Sequence, residues 1–358
     1  MNKLLKSLTA IAFFPLALMT TGSGSAWGAD LIGLSLPMNA RYEAVSKRIE
    51  FGALLAQEKA NNAGTTIDLK LVDDNCDAAS ATELAEQFSS AKAVIGLPCF
   101  KLATALARTL KANNNNAPLL TFRTRNSGLK RLREIEGLPI FEFSNKSNAE
   151  AQAIADFILP EFGSKPYAIL DDGSVYGRGL ADSIRLIAEE TGRKPITNAN
   201  FRPLQTNQRA LIRRLQRSGV EAIIIAAAPE DVVTFANDLS ALNLNWPVAM
   251  GEQISLLPFA AGADAISRPI LAVAPKMRRI SDQNFLSEAA KANIPTDPEV
   301  VLGHVMVEVA AQLIKTPSAK TFDTIVGSVS LESDARIILE PFELIKWSNG
   351  RLSTSEGN

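Results

Sequence analysis

The chain is poor in histidine, with one, and in cysteine, with two, and it has almost no net charge: 37 Lys and Arg stand against 38 Asp and Glu in 358 residues. Each shortage excludes something. The charge balance argues against nucleic-acid binding driven by net charge. With one histidine, a Ser-His-Asp mechanism would have to rest on His304, which lies in a long apolar helical pattern. A lone histidine there is more often a packed core residue than a ligand. There is no H-E-x-x-H, no G-x-S-x-G and no Cys/His pair with supporting context, so neither an enzyme nor a metal site is indicated. No cofactor is expected either: the loop DGSVYGRG is not a G-x-G-x-x-G dinucleotide fingerprint. Beyond the first 30 residues, no apolar run approaches the ~20 residues that a membrane-spanning helix needs.

What is there begins with those first residues. Lys3 and Lys6 give a positive start, residues 8–19 are apolar apart from Thr9 and Pro15, and residues 20–26 are small. This is the pattern of a secretory signal peptide, residues 1–26. Gly24 and Ala26 suit the small-residue cleavage positions, so the mature chain is expected to begin at Trp27; a cut after Ala29 would put Trp27 in a small-residue slot. No cysteine follows the apolar run, so no lipoprotein anchor is evident. The mature chain is expected to be soluble and periplasmic. In that oxidising compartment Cys76 and Cys99 form the simplest disulfide framework. Such a bridge would contribute about 3 kcal/mol in the loop-entropy model. Two reduced thiols are the weaker alternative, and metal binding is weaker still.

The rest of the chain is organised around residues 167–187, YAILDDGSVYGRGLADSIRLI. A short apolar strand runs into a loop with Gly173, Gly177 and Gly179, then into an amphipathic helix with Leu180, Ile184, Leu186 and Ile187 at helical spacing. That is half of a βαβ unit, and Tyr176 lies in the loop where α/β sheets receive ligands. Two series of the same rhythm succeed one another. The first has strands at 31–36, 65–73, 93–97 and 119–123, with Ser80-x-x-Glu83 reading as a capping box. The second has a helix over 148–162 with Ile154, Phe157 and Ile158 inward, a helix over 207–218, and strands at 222–228, 247–250 and 269–274. Pro229 suits the first turn of the next helix. A long helix over 297–315 follows, then strands at 337–339 and 342–347 and an Asn349-Gly350 turn. The fold class is α/β, with two lobes and no Pro/Gly/Ser linker between them.

Five stretches together resemble a known family: the signal peptide; LIGLSLPMNARY; AVIGLPCF with the earlier Cys76; ILDDGSVYGRGLA; and NQRALIRRLQRSGVEAIII. The chain resembles the periplasmic solute-binding proteins of branched-chain amino acid ABC transporters, the Leu/Ile/Val-binding type. The resemblance implies the type I periplasmic binding protein fold, two Rossmann-like lobes joined by three crossing strands, with the ligand between them. Lobe one is placed at 27–143 plus 278–336, and lobe two at 144–277 plus 337–358. It also implies the site. Tyr42 matches an aromatic residue of the first loop, and Phe100 and Lys101 stand where the family has small hydroxyl residues. Thr124 and Arg125 stand where it offers backbone groups and a threonine. Tyr176 matches a tyrosine of the second lobe. Ala228 replaces a frequent aromatic, and Glu252 or Gln253 falls where an acid pairs with the ligand's ammonium. Each has a plainer reading: Tyr42 as packing, Glu252 as an ordinary first-turn acid, and Arg123 and Arg125 as surface residues.

Phe100 removes a hydroxyl, Arg123 and Arg125 add donors suited to an oxyanion, and Ala228 leaves room for something larger. The implied function is capture of a small amino acid or other carboxylate-bearing ligand, which the protein delivers, as a monomer, to an ABC transporter permease. The alternative is a ligand-sensing or regulatory protein of the same fold.

Overall fold

The structure is a computed structural model; it describes residues 29–39, 42–122, 128–144, 148–275, 280, 282–294, 298–333, 335–338 and 342–354. The expected signal peptide lies outside the described residues. In chain order the strands are β1 (Asp30–Leu36), β2 (Ile67–Asp73), β3 (Ala93–Gly96), β4 (Leu119–Phe122), β5 (Ile140–Ser144), β6 (Tyr167–Asp171), β7 (Thr197–Asn200), β8 (Ala222–Ala226), β9 (Val248–Met250), β10 (Ile270–Pro275), β11 (Thr321–Thr324), β12 (Gly327–Ser330), β13 (Arg336–Ile338), β14 (Phe342–Ser348) and β15 (Arg351–Thr354). They form a six-stranded sheet ordered β13-β5-β4-β3-β1-β2, a seven-stranded sheet ordered β15-β14-β10-β9-β8-β6-β7, and the hairpin β11-β12. The first sheet is parallel throughout, and the second is parallel except for β14 and β15.

Parallel sheets are covered on both faces, so their strands need apolar residues in succession rather than alternation. β3 and β8, AVIG and AIIIA, are buried along their whole length. One face of the first sheet packs Ile32, Leu34 and Ile95 against Ile49, Ala53 and Val305. Its other face packs Val94 and Leu119 against Phe88, Leu102 and Leu106. The second sheet repeats the scheme, with Ile223 and Ile225 under Ile212 and Phe235, and with Ile169 and Ile224 under Ile154 and Ile184. This is the two-lobed α/β architecture that the resemblance implies.

The chain passes from one sheet to the other after β5, after β10 and after β13. β13 pairs with β5 in the first sheet, Ile337 opposite Phe143, so the division expected between residues 336 and 337 falls inside a strand. Four local expectations are corrected. Phe157 is 40% exposed rather than inward. Residues Ile154–Ile158 form a π-helical segment, whose wider turn rotates Phe157 out and brings Leu159 and Phe162 in. Ser80 makes no capping bond to the helix Ala81–Gln87. Its hydroxyl donates to the Asp77 carbonyl at 2.7 Å instead, and Asp77 caps the short turn before the helix. Finally, Leu186 is 52% exposed rather than on the buried face of the helix Val175–Glu190, because two residues beyond Ile184 turn a helix about 200° away from it. The strands β7, β11 and β12, which carry no apolar run, and the buried β5 were not anticipated.

Candidate functional site

In a parallel sheet all strands end at one edge. β5 leaves the first sheet at that edge, and Glu150, soon after it, bonds to groups at the corresponding edge of the second sheet. The two edges therefore face one another, and the loops leaving them form two walls.

The first wall is stiffened by carboxylates. Asp73 Oδ1 accepts the Met38 N–H at 2.9 Å, and Ser46 Oγ donates to the Pro37 carbonyl at 2.7 Å, which fixes the loop before Tyr42. Tyr42 stands at the start of the helix Glu43–Asn62, 36% exposed. Buried Asp74 accepts from Ser35 Oγ and from the Cys76 N–H, each at 2.9 Å. Burial pushes its carboxyl above the ordinary range, and those two bonds oppose the rise. Asn75 and Cys76 adopt left-handed backbone, φ 48° and 57°, so the chain turns back at once. Cys76 is bonded to Cys99 with Cα atoms 5.4 Å apart, tying the loop after β2 to the loop after β3. Phe100 and Lys101 open the helix Phe100–Ala112 there. Phe100 is half-buried against the first lobe's core, while Lys101 is exposed. Arg123, Thr124 and Arg125 lie outside the described residues.

In the second wall, Asp171 Oδ1 accepts from the Gly173 N–H and from Asn200, and Asp172 Oδ1 accepts the Ser174 N–H. Ser174 Oγ accepts the Gly177 N–H and caps the helix Val175–Glu190. Both aspartates thus shape the loop that carries Tyr176. The Tyr176 hydroxyl donates to Glu150 Oε1 at 2.8 Å. The Glu252 backbone N–H donates to the same oxygen at 2.7 Å. Glycine between them leaves room for this arrangement: a Cβ on Gly251 would lie 2.0 Å from Glu150 Oε1 and 2.7 Å from the Tyr176 hydroxyl, and would push those side-chain ends aside. Ala228 precedes the helix Pro229–Ala241 in extended backbone, half-buried, and Gln253 follows Glu252, also half-buried.

The structure therefore brings Tyr176 and Glu252 together, and the residue that joins them is one the sequence reading missed. Glu150 lies in the first turn of the helix Ala149–Ala153, where an acid is ordinary, so nothing in the sequence set it apart. At the rim, the Arg48 guanidinium sits 4.8 Å from the centre of the Phe259 ring. Arg48 belongs to the first lobe's helix Glu43–Asn62, and Phe259 closes the segment Glu252–Phe259, whose Ile254 and Leu257 lie in the second core. The lobes touch there. Among the described residues no group of His, Cys, Asp and Glu is placed to hold a metal, and no helix is long and apolar enough to cross a membrane.

Residues 31–324 match the family described as periplasmic binding protein. The chain belongs to this family. Among curated relatives, the Leu/Ile/Val-binding protein BraC3 of Rhizobium johnstonii is 25% identical, over 98% of this chain and 100% of its own. Among solved structures, the branched-chain amino acid transporter substrate-binding protein LivJ of Streptococcus pneumoniae, in complex with isoleucine, superposes with a TM-score of 0.75 at 18% identity, over 91% of this chain and 98% of that chain. A solute-binding protein of an ABC transporter from R. palustris, in complex with benzoate, has a TM-score of 0.69 at 18% identity, over 92% and 96%. This periplasmic binding protein thus shares its fold with proteins whose ligands differ in shape and agree in carrying a carboxylate.

Proposed function

We propose that the protein captures a small carboxylate-bearing molecule, an amino acid or an aromatic acid, between its lobes and hands it unchanged to the permease of an ABC transporter. It would act as an exported monomer, with lobe one at about 27–144 plus 278–338, which keeps β5 and β13 whole in the first sheet, and lobe two at about 145–277 plus 339–358. The observation that carries this reading is the pair of facing strand edges, with Tyr176, Glu150 and the Glu252 amide bonded together in one wall. Names of relatives such as BraC3 support an amino acid, and the benzoate complex supports an aromatic acid. In this reading Tyr42, Phe100, Lys101, Thr124 and Arg125 face the ligand from lobe one. Tyr176, Ala228, Glu252 and Gln253 face it from lobe two.

The test is a thermal-shift screen of dialysed mature protein with the twenty amino acids and a set of substituted benzoates. A ligand at 100 times its Kd should add about 2.7 kcal/mol to stability. Small-angle scattering with that ligand should show compaction, as hinge closure requires. No shift with any member of either class would refute the proposal.

A further inference from the structure

One flank of lobe two is strongly basic, although the whole chain carries 37 Lys and Arg against 38 Asp and Glu. The helix Arg209–Arg217 holds four arginines and no acid in nine residues. Its Ile212 and Leu215 are buried in the second lobe's core. At about 100° per residue, Arg209, Arg213 and Arg217 form a stripe on the opposite side, with Arg214 beside it, and all four are exposed. Arg202, also exposed, stands just before the helix. An ordinary solvated helix face mixes the two signs in pairs three or four residues apart, and this one has no acid to mix. Asp238 pairs with Arg209 at 2.8 Å, and the other four arginines form no ion pair among the described residues.

The loop before the helix presents an apolar residue to solvent. Leu204 is 63% exposed with left-handed backbone, φ 56°, which a residue with a Cβ adopts at a cost. Two buried aspartates of the helix Pro229–Ala241 hold the loop in that shape. Asp231 Oδ1 accepts the Leu204 N–H at 2.7 Å, and Asp238 Oδ2 accepts the Gln208 N–H. The Gln208 side-chain amide closes the loop on the Arg202 carbonyl at 3.0 Å. β7, the edge strand of the second sheet, leads into this loop, so the leucine and the arginines share the outer flank of the lobe. An exposed leucine on strained main chain adds nothing to folding; a surface that covers it would gain from it.

We propose that this flank docks the protein on an anionic lipid bilayer, with the arginines at the headgroup phosphates and Leu204 inserted beneath them. A guanidinium matches phosphate with two parallel hydrogen bonds. A cluster of four or more cations beside an apolar anchor is the footprint of an anionic phospholipid contact. Arginines held by no ion pair can follow headgroups that move. A protein partner suits the flank less well: protein interfaces centre on packed aromatic and apolar residues, and residues 202–217 contain no aromatic. Such docking would keep a protein with no membrane-crossing helix among its described residues close to the membrane that holds its permease. The contact is independent of the ligand in the cleft, so its failure leaves the proposed function standing.

Sedimentation of purified mature protein with phospholipid vesicles at low ionic strength tests this. Vesicles of phosphatidylglycerol and phosphatidylcholine in equal parts should bind it at least about tenfold more tightly than pure phosphatidylcholine. Raising the salt to about 0.15 M should weaken that binding several-fold. Each cation near an anionic surface contributes about fivefold. The triple variant Arg213→Gln, Arg214→Gln, Arg217→Gln should therefore lose roughly a hundredfold. It replaces exposed side chains with a good helix former, so its Tm should match wild type. The triple variant Arg213→Lys, Arg214→Lys, Arg217→Lys keeps the charge and should bind within about threefold of wild type. Leu204→Ser should weaken binding about five- to tenfold and leave the salt dependence unchanged. Vesicle binding that ignores phosphatidylglycerol, or wild-type binding by either the triple glutamine variant or Leu204→Ser, overturns the inference. So does retention on a polyglutamate matrix by a protein that ignores both kinds of vesicle, which would assign the flank to an acidic protein partner.

Discussion

The helices Glu43–Asn62 and Pro298–Lys315 cross at two glycines, and filling either one should open the first lobe. A Cβ on Gly52 would lie 1.8 Å from the Val300 carbonyl oxygen, and one on Gly303 would lie 2.0 Å from the Ile49 carbonyl oxygen. Real Cβ atoms essentially never approach closer than 3.0 Å, so alanine forces a shift of 1 Å or more. Both atoms struck are main-chain oxygens of the facing helix, which cannot swing aside as a side-chain end would. Overpacking of this kind costs about 1–3 kcal/mol. The depth of both clashes against main chain puts the cost at the upper end of that range, and alanine's better helix propensity returns about 0.8–1 kcal/mol, so each variant should lose a net of roughly 2 kcal/mol. The losses should not add, because helices already spread by one methyl accommodate the second more easily. Urea unfolding of ligand-free protein measures this as a lower midpoint at unchanged slope. Gly179 is the control: it lies in a helix with nothing within 4 Å of its missing Cβ, and alanine there should stabilise by about 0.4–1 kcal/mol. Gly52→Ala and Gly303→Ala both as stable as wild type, or a double variant losing the full sum, would refute the close-crossing argument.

Three further outcomes are expected. Glu308 is buried, which raises its carboxyl pKa, but nearby His304, the Ile325 N–H and Lys59 outweigh burial and hold it below the usual 4.5. The Nδ1 of His304 lies 3.4 Å away, near enough for attraction without the alignment of a hydrogen bond. A depressed carboxyl contributes stability above its unfolded value and loses it as pH falls through the folded one. Glu308→Gln should therefore trail wild type in thermal melts at neutral pH, and the gap should close in acid; a gap independent of pH counts against the assignment. Reducing Cys76–Cys99 should cost about 3 kcal/mol by chemical unfolding, and loss of under about 1 kcal/mol would show the turn at Asn75 to be self-supporting. Arg48→Ala removes the contact to Phe259 across the lobes, of a kind worth about 0.5–1 kcal/mol at exposed sites. Ligand titration should show a two- to fivefold weaker Kd, by roughly that energy; unchanged affinity would mean that the contact does not favour closure.

How much of this was legible in the chain depends on the range of the physics involved. The buried strands β3 and β8, the glycine loop before Tyr176 and the cysteine pair were visible because each has a local signature: a short apolar run, residues that permit tight turns, and a scarce reactive type. Burial on both faces of a sheet imposes that run whatever the partner strands are. The polar edge strand β7 has no such constraint, and it showed no such signal. Phe157 reads as inward at a regular 3.6-residue period, and only the π-helical segment turns it out. Glu150 is the furthest from reach. Its bonds join residues 26 and 102 positions apart, made neighbours by the crossing after β5 and by the order of strands in the second sheet. Composition and period determined that there would be two covered α/β lobes, because those properties are fixed by which residues leave water. Which carboxylate would meet Tyr176 and the Glu252 amide was decided only by the tertiary structure, because hydrogen bonds act over about 3 Å and no local pattern records what folding brings that close.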